Sequence, residues 1–95
     1  MVIRILDIAT GADTSTQGDL AYAKLRIALR TPDEITVSFE GVKTATSSFV
    51  NTSFVRLLED WTLDELKRRM RVINSTRQIN DMIKSRLERA AMAHA

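Results

Sequence analysis

The sequence predicts a single small α/β domain, with a mainly parallel three- to four-stranded sheet and helices mostly on one face. Three observations carry that expectation. Short segments rich in β-branched residues alternate with longer segments of helical spacing, in the order β-α-β-α-(short α)-β-α. Each helix then returns the chain to begin the next strand in the same direction, and right-handed crossovers leave few topologies. The second strand alternates Ile35, Val37 and Phe39 with Thr36 and Ser38, and its polar face argues against helices on both sides of the sheet.

Val2 to Ile8 reads as the first strand, near-continuously apolar apart from Arg4 and Asp7. Thr10 to Gly18 reads as a polar loop, and Thr16-x-x-Asp19 as the start of a helix from Asp19 to Arg30. Ala21, Tyr22, Leu25, Ala28 and Leu29 give that helix its apolar face, and Pro32 ends it. After the second strand comes a tight Glu40-Gly41-Val42 bend. A second helix opens at Thr46 and runs to about Trp61, with Val50, Phe54, Leu57, Leu58 and Trp61 on one stripe. Thr62-x-x-Glu65 is a capping box for a short helix through about Arg69, and Met70 to Ile73 forms a third strand. Ser75-x-x-Gln78 reads as another capping box, before a last helix striped by Ile79, Met82, Ile83, Leu87, Ala90 and Ala91.

The chain has 95 residues, 44% of them hydrophobic and 27% charged, which fits one ordinary soluble domain with one core. No apolar run approaches the ~20 residues of a membrane span, and the charged N-terminus does not look like a signal peptide. A cytoplasmic location is the expectation. Without cysteine there is no thiol nucleophile and no thiolate metal site. The single histidine, His94, is penultimate, where chains commonly fray. Metal and histidine-dependent chemistry are therefore not expected. Neither GxGxxG nor GxxxxGK[ST] occurs, and no cofactor is expected. The serines lack an activating base and a Gly-x-Ser-x-Gly elbow, so the chain does not read as an enzyme.

The most informative stretch is Thr46-Ser47-Ser48-Phe49, between the C-terminal end of a strand and the start of a helix. Helix N-termini carry unpaired N–H groups, and in open α/β sheets binding sites concentrate at this edge. A cap needs one hydroxyl, yet Thr44, Thr46, Ser47 and Ser48 crowd together. The surplus marks a candidate site.

The segment Val37-Ser38-Phe39-Glu40-Gly41-Val42 followed by Thr46-Ser47-Ser48-Phe49 resembles the STAS-like family, with Gly18 and the Val72-Ile73-Asn74 strand end adding to the likeness. These are small bacterial and phage relatives of the sulfate transporter and anti-sigma factor antagonist domains. The resemblance implies a βα sandwich that binds proteins and does no chemistry itself. It implies a histidine-kinase-like ATPase or an anti-sigma factor as partner, and a serine at this helix start that such a kinase phosphorylates. By position the phosphoacceptor is Ser48, with Ser47 beside it, and the partner-binding set is Thr44, Thr46, Ser47, Ser48, Phe49 and Asn51. The antagonist pattern Asp-Ser-Ser-Gly is here Thr46-Ser47-Ser48-Phe49, which leaves two readings open: a phospho-switch and a constitutive protein-binding site. A phosphate at a helix start is tolerated by the fold, whereas a partner packed over it has to desolvate a dianion.

Net charge is +2. Residues 1–63 carry six basic and eight acidic side chains, and residues 64–95 eight basic and four acidic. Lys67, Arg68, Arg69 and Arg71 form the densest basic run and are the alternative, nucleic-acid contacts. The plainer expectation is a solvated helix face with Asp64–Arg68 and Glu65–Arg69 pairs, so nucleic acid is the less favoured partner. The open sheet face or an edge strand also predicts a homodimer.

Overall fold

The computed structural model describes residues 1–93; His94 lies outside the described residues. Three short strands, β1 (Val2–Arg4), β2 (Ile35–Ser38) and β3 (Met70–Ile73), form one sheet in the order β1-β2-β3. Both pairings are parallel, with Ile3 opposite Val37 and Val37 opposite Val72. Helix α1 (Ser15–Leu29) connects β1 to β2. The return from β2 to β3 uses α2 (Ser47–Thr52), a 3₁₀ segment (Val55–Glu59) and α3 (Leu63–Arg69), and α4 (Arg77–Ala93) follows β3. The predicted element order and parallel sheet are thus present, with three strands.

Alternation sorts the strand residues onto two faces. Ile3, Ile35, Val37 and Phe39 point into a core completed by Leu25, Phe49, Phe54 and Ile79. At its centre the Phe39 ring meets Phe49 edge-on at 6.4 Å and stacks with Phe54 at 6.1 Å, geometries that aromatic quadrupoles favour. On the opposite face Val2, Arg4, Arg71 and Ile73 are exposed, and among the described residues no helix covers them. Ser38 is nonetheless buried, and its hydroxyl is satisfied by Asn74, which donates to it at 3.1 Å. Gly41, at φ +84°, completes the predicted bend after β2, where the Val42 N–H returns to the Phe39 carbonyl; that backbone region suits glycine.

Four expected boundaries are corrected. The first strand ends at Arg4, and Ile5–Asp7 is a 3₁₀ turn. The partner strand β2 has only four residues, so the ladder runs out and the Ile5 carbonyl bonds Ile8 and Ala9 instead. Helix α1 starts four residues earlier than expected: Thr14, with Gln17, forms the capping box, and Gly18 lies inside the helix. The second helix is not continuous. The Thr52 hydroxyl bonds the Ser48 carbonyl and the Ser53 hydroxyl the Phe49 carbonyl, local competition of the kind that loosens a helix, and the chain resumes as 3₁₀. Finally, α4 begins after Thr76, whose hydroxyl accepts from the Ile79 N–H, and Gln78 is engaged elsewhere.

Candidate functional site

A threonine hydroxyl caps each of the four helix starts: Thr14 for α1, Thr46 for α2, Thr62 for α3 and Thr76 for α4. Three of these starts, those of α1, α2 and α4, meet at the edge of the sheet where the strands end. Thr46 is the hub. Its hydroxyl accepts from the Phe49 N–H at 3.2 Å and donates to the Asp13 carbonyl at 2.8 Å. Its N–H bonds the Ala12 carbonyl. Thr52 extends the same seam by donating to the Ser15 carbonyl at 3.1 Å. On the other flank Thr76 donates to the Lys43 carbonyl, and the Gln78 amide clasps the Ala45 backbone with two 2.9 Å bonds.

This frame settles which hydroxyls of the crowded loop are committed. Thr46 is the cap, the one hydroxyl that the helix start needs. Ser47 and Ser48 occupy the first two positions of α2, Ser48 exposed and Ser47 half-buried. Neither hydroxyl makes a hydrogen bond among the described residues. Thr44 and Asn51 are exposed and flank the pair. The result is a polar ridge of Thr44, Ser47, Ser48 and Asn51. Among the described residues no basic side chain bonds either serine hydroxyl, and no group of histidine, cysteine, aspartate or glutamate side chains forms a metal-holding cluster.

Phe49 is a correction. It was expected in the partner-binding set, but it is fully buried and its ring packs on Phe39. Its place in the motif is structural. The structure also brings in residues that the sequence reading left out. Asp13, Ser15 and Thr16 are exposed at the start of α1, beside the ridge, because the Thr46–Asp13 and Thr52–Ser15 bonds tie the two helix starts together. The run of hydroxyls from Thr14 to Thr16 was the available signal.

The basic segment divides in the same way. Arg69 turns away from solvent and donates to the Leu29 carbonyl at 2.8 Å, to the Thr31 carbonyl and to the Asp33 carbonyl at 3.2 Å. It fastens α3 to the chain leaving α1, and so is removed from the alternative nucleic-acid contacts. Lys67, Arg68 and Arg71 remain exposed. The expected Asp64–Arg68 and Glu65–Arg69 ion pairs do not form. Arg68 bonds the Asp64 carbonyl, and Glu65 instead accepts from the Thr62 N–H at 3.0 Å. That bond, with the Thr62 hydroxyl and the charges of Arg68 and Arg69 behind it, holds the Glu65 carboxyl below its ordinary 4.5. The ion pairs present lie elsewhere, Arg4–Glu40 at 3.4 Å and Arg56–Asp19 at 2.9 Å. Arg56 also lies over the Tyr22 ring at 3.9 Å. Among the described residues no helix is long and apolar enough to cross a membrane.

A parallel three-stranded sheet with helices on one face, and a polar ridge at the strand ends, defines a small α/β domain of the βα-sandwich class. Residues 17–80, about two thirds of the chain, match the family described as STAS-like domain of unknown function (DUF4325), and the chain belongs to that family. No curated protein and no solved structure matches it.

Proposed function

We propose that the chain is a non-catalytic protein-binding module whose contact surface is the ridge of Thr44, Ser47, Ser48 and Asn51, widened by Asp13, Ser15 and Thr16. The observation that carries this reading is the division of labour at α2: Thr46 does the capping, and Ser48 is left exposed with an uncommitted hydroxyl. An exposed, hydrogen-bond-rich patch on a rigid frame suits contact with another protein. Among the described residues no side chain that could act as a base bonds either serine hydroxyl, which favours binding over nucleophilic catalysis.

Ser48 is the modification point in this reading, with a kinase of the histidine-kinase-like ATPase class, or the anti-sigma factors related to it, as the partner type. A phosphate there meets the free N–H groups of the first turn of α2, and the exposed Asp13 carboxylate can turn into solvent. The domain stays folded while the partner loses the uncharged hydroxyl it packs against at Ser48. The open sheet face is the second contact surface, taken by another copy of the chain, since Val2 and Ile73 stand exposed on it.

Affinity capture with the wild-type chain and with a Thr44→Arg/Asn51→Arg variant, read by quantitative mass spectrometry, tests the ridge. A protein retained by the wild type and lost by the variant supports the reading. A protein held equally by both, or salt-sensitive capture of nucleic acid alone, contradicts it.

A further inference from the structure

A cleft of about 290 Å³ opens between α3, β3 and α4, and it shares no residue with the ridge. Its floor is Phe54 and Leu66; Met70 and Val72 of β3 form one wall, and Ile83 and Leu87 of α4 the other. An apolar hollow between helices, with few polar groups at its rim, has the make-up of a small-molecule site and lies at the small end of their range.

The rim says what kind of molecule fits. Leu66 and Lys67 are adjacent on α3, and Ile83 and Lys84 on α4, so each helix lines the cleft with an apolar side chain and sets a lysine beside it. Lysine stems lie along apolar surface and keep their ammonium groups in water at the mouth. Among the described residues neither lysine is within ion-pair distance of a carboxylate, since the pairs that form are Arg4–Glu40 and Arg56–Asp19. Glu88 is the one acidic group at the rim, and Asn80 the other polar one. Two lysines against one glutamate leave the mouth net positive.

We infer that the cleft binds a small amphiphile with one short acyl chain and an anionic headgroup, the chain lying between β3 and α4 and the headgroup between Lys67 and Lys84. Carboxylate and phosphate headgroups share this chemistry.

Methyl NMR of the full chain tests it, with octanoate, octyl phosphate, octanol and octyltrimethylammonium as probes, each below its micelle concentration. The expected result is that at least one anion shifts the Met70, Val72, Ile83 and Leu87 methyl signals and binds at least tenfold more tightly than octanol. The tighter of octanoate and octyl phosphate then identifies the headgroup. A Lys67→Gln/Lys84→Gln variant, altered only at exposed positions, should lose at least tenfold in affinity for that anion and keep its affinity for octanol. No cleft shift with either anion, or binding of octanol or the cationic probe as tight as the anions, overturns the assignment.

Discussion

Gly18 of α1 faces Thr52 of α2 so closely that a Cβ on Gly18 would lie 1.8 Å from the Thr52 hydroxyl oxygen and 2.7 Å from the Phe49 carbonyl. The two helices cross at this point, and the crossing sets the start of α1 against the start of α2. The polar ridge depends on it.

Gly18→Ala should therefore destabilise the fold by about 1–3 kcal/mol, the usual cost of over-packing, despite the better helix propensity of alanine. Gly11→Ala meets the Asp13 carboxylate at 3.1 Å, which can move away, and the Gln17 side-chain amide at an ordinary contact distance of 3.5 Å, and should cost far less. Urea denaturation midpoints of the two variants make the comparison. Equal midpoints would mean the helices do not cross so closely.

Arg69 and Arg68 are neighbours in sequence with different work. Arg69→Ala removes donors from three carbonyls and should cost about 1–3 kcal/mol, whereas exposed Arg68→Ala should fall within about 0.5 kcal/mol of wild type. Thermal unfolding distinguishes them. A neutral Arg69→Ala would return that side chain to the surface basic run.

Glu65 supplies a pH-dependent element. Its folded-state carboxyl titrates below the ordinary 4.5, so its contribution is present above that value and fades as pH falls through the lowered folded-state value. The stability gap between wild type and Glu65→Ala should be widest near neutral pH and narrow on acidification. Glu65→Gln, which keeps an acceptor for the Thr62 N–H, should lie between the two. Denaturant titrations at pH 7 and pH 3 read the gap, and one that grows toward pH 3 contradicts the capping geometry.

The uncovered sheet face predicts self-association at tens of micromolar. Ile73→Lys, which puts a charge on that face without touching the core, should shift the chain toward monomer in sedimentation velocity. A wild-type chain that is strictly monomeric removes the second copy from the account.

Much of this architecture is legible in the sequence where local rules and tertiary demands agree. The alternation of Ile35, Val37 and Phe39, the Thr62–Glu65 capping box and the Met70–Ile73 strand are of that kind. The errors have identifiable causes. Thr14-x-x-Gln17 and Thr16-x-x-Asp19 overlap, and the side chain able to reach back to the cap N–H is Gln17, which bonds the Thr14 N–H at 3.0 Å. The apolar stripe of the second helix hid its break, because Phe54 and Leu57 stay buried on either side of the change to 3₁₀. Gln78 and Arg69 were misread for a different reason. Each bonds backbone more than thirty residues away, and no local pattern carries that information. Within the site, the sequence located the hydroxyl cluster but not its division into a committed Thr46, a half-buried Ser47, an exposed Ser48 and a buried Phe49.

The most direct test of the central claim is the affinity of the ridge partner for Ser48 variants, measured calorimetrically once that partner is in hand. Ser48→Asp keeps the fold, because an acidic residue in the first turn of an exposed helix start is favourable. It should weaken binding at least tenfold, about 1.4 kcal/mol, while Ser48→Ala binds like wild type. Equal affinity of the two variants would place Ser48 outside the interface and contradict the account.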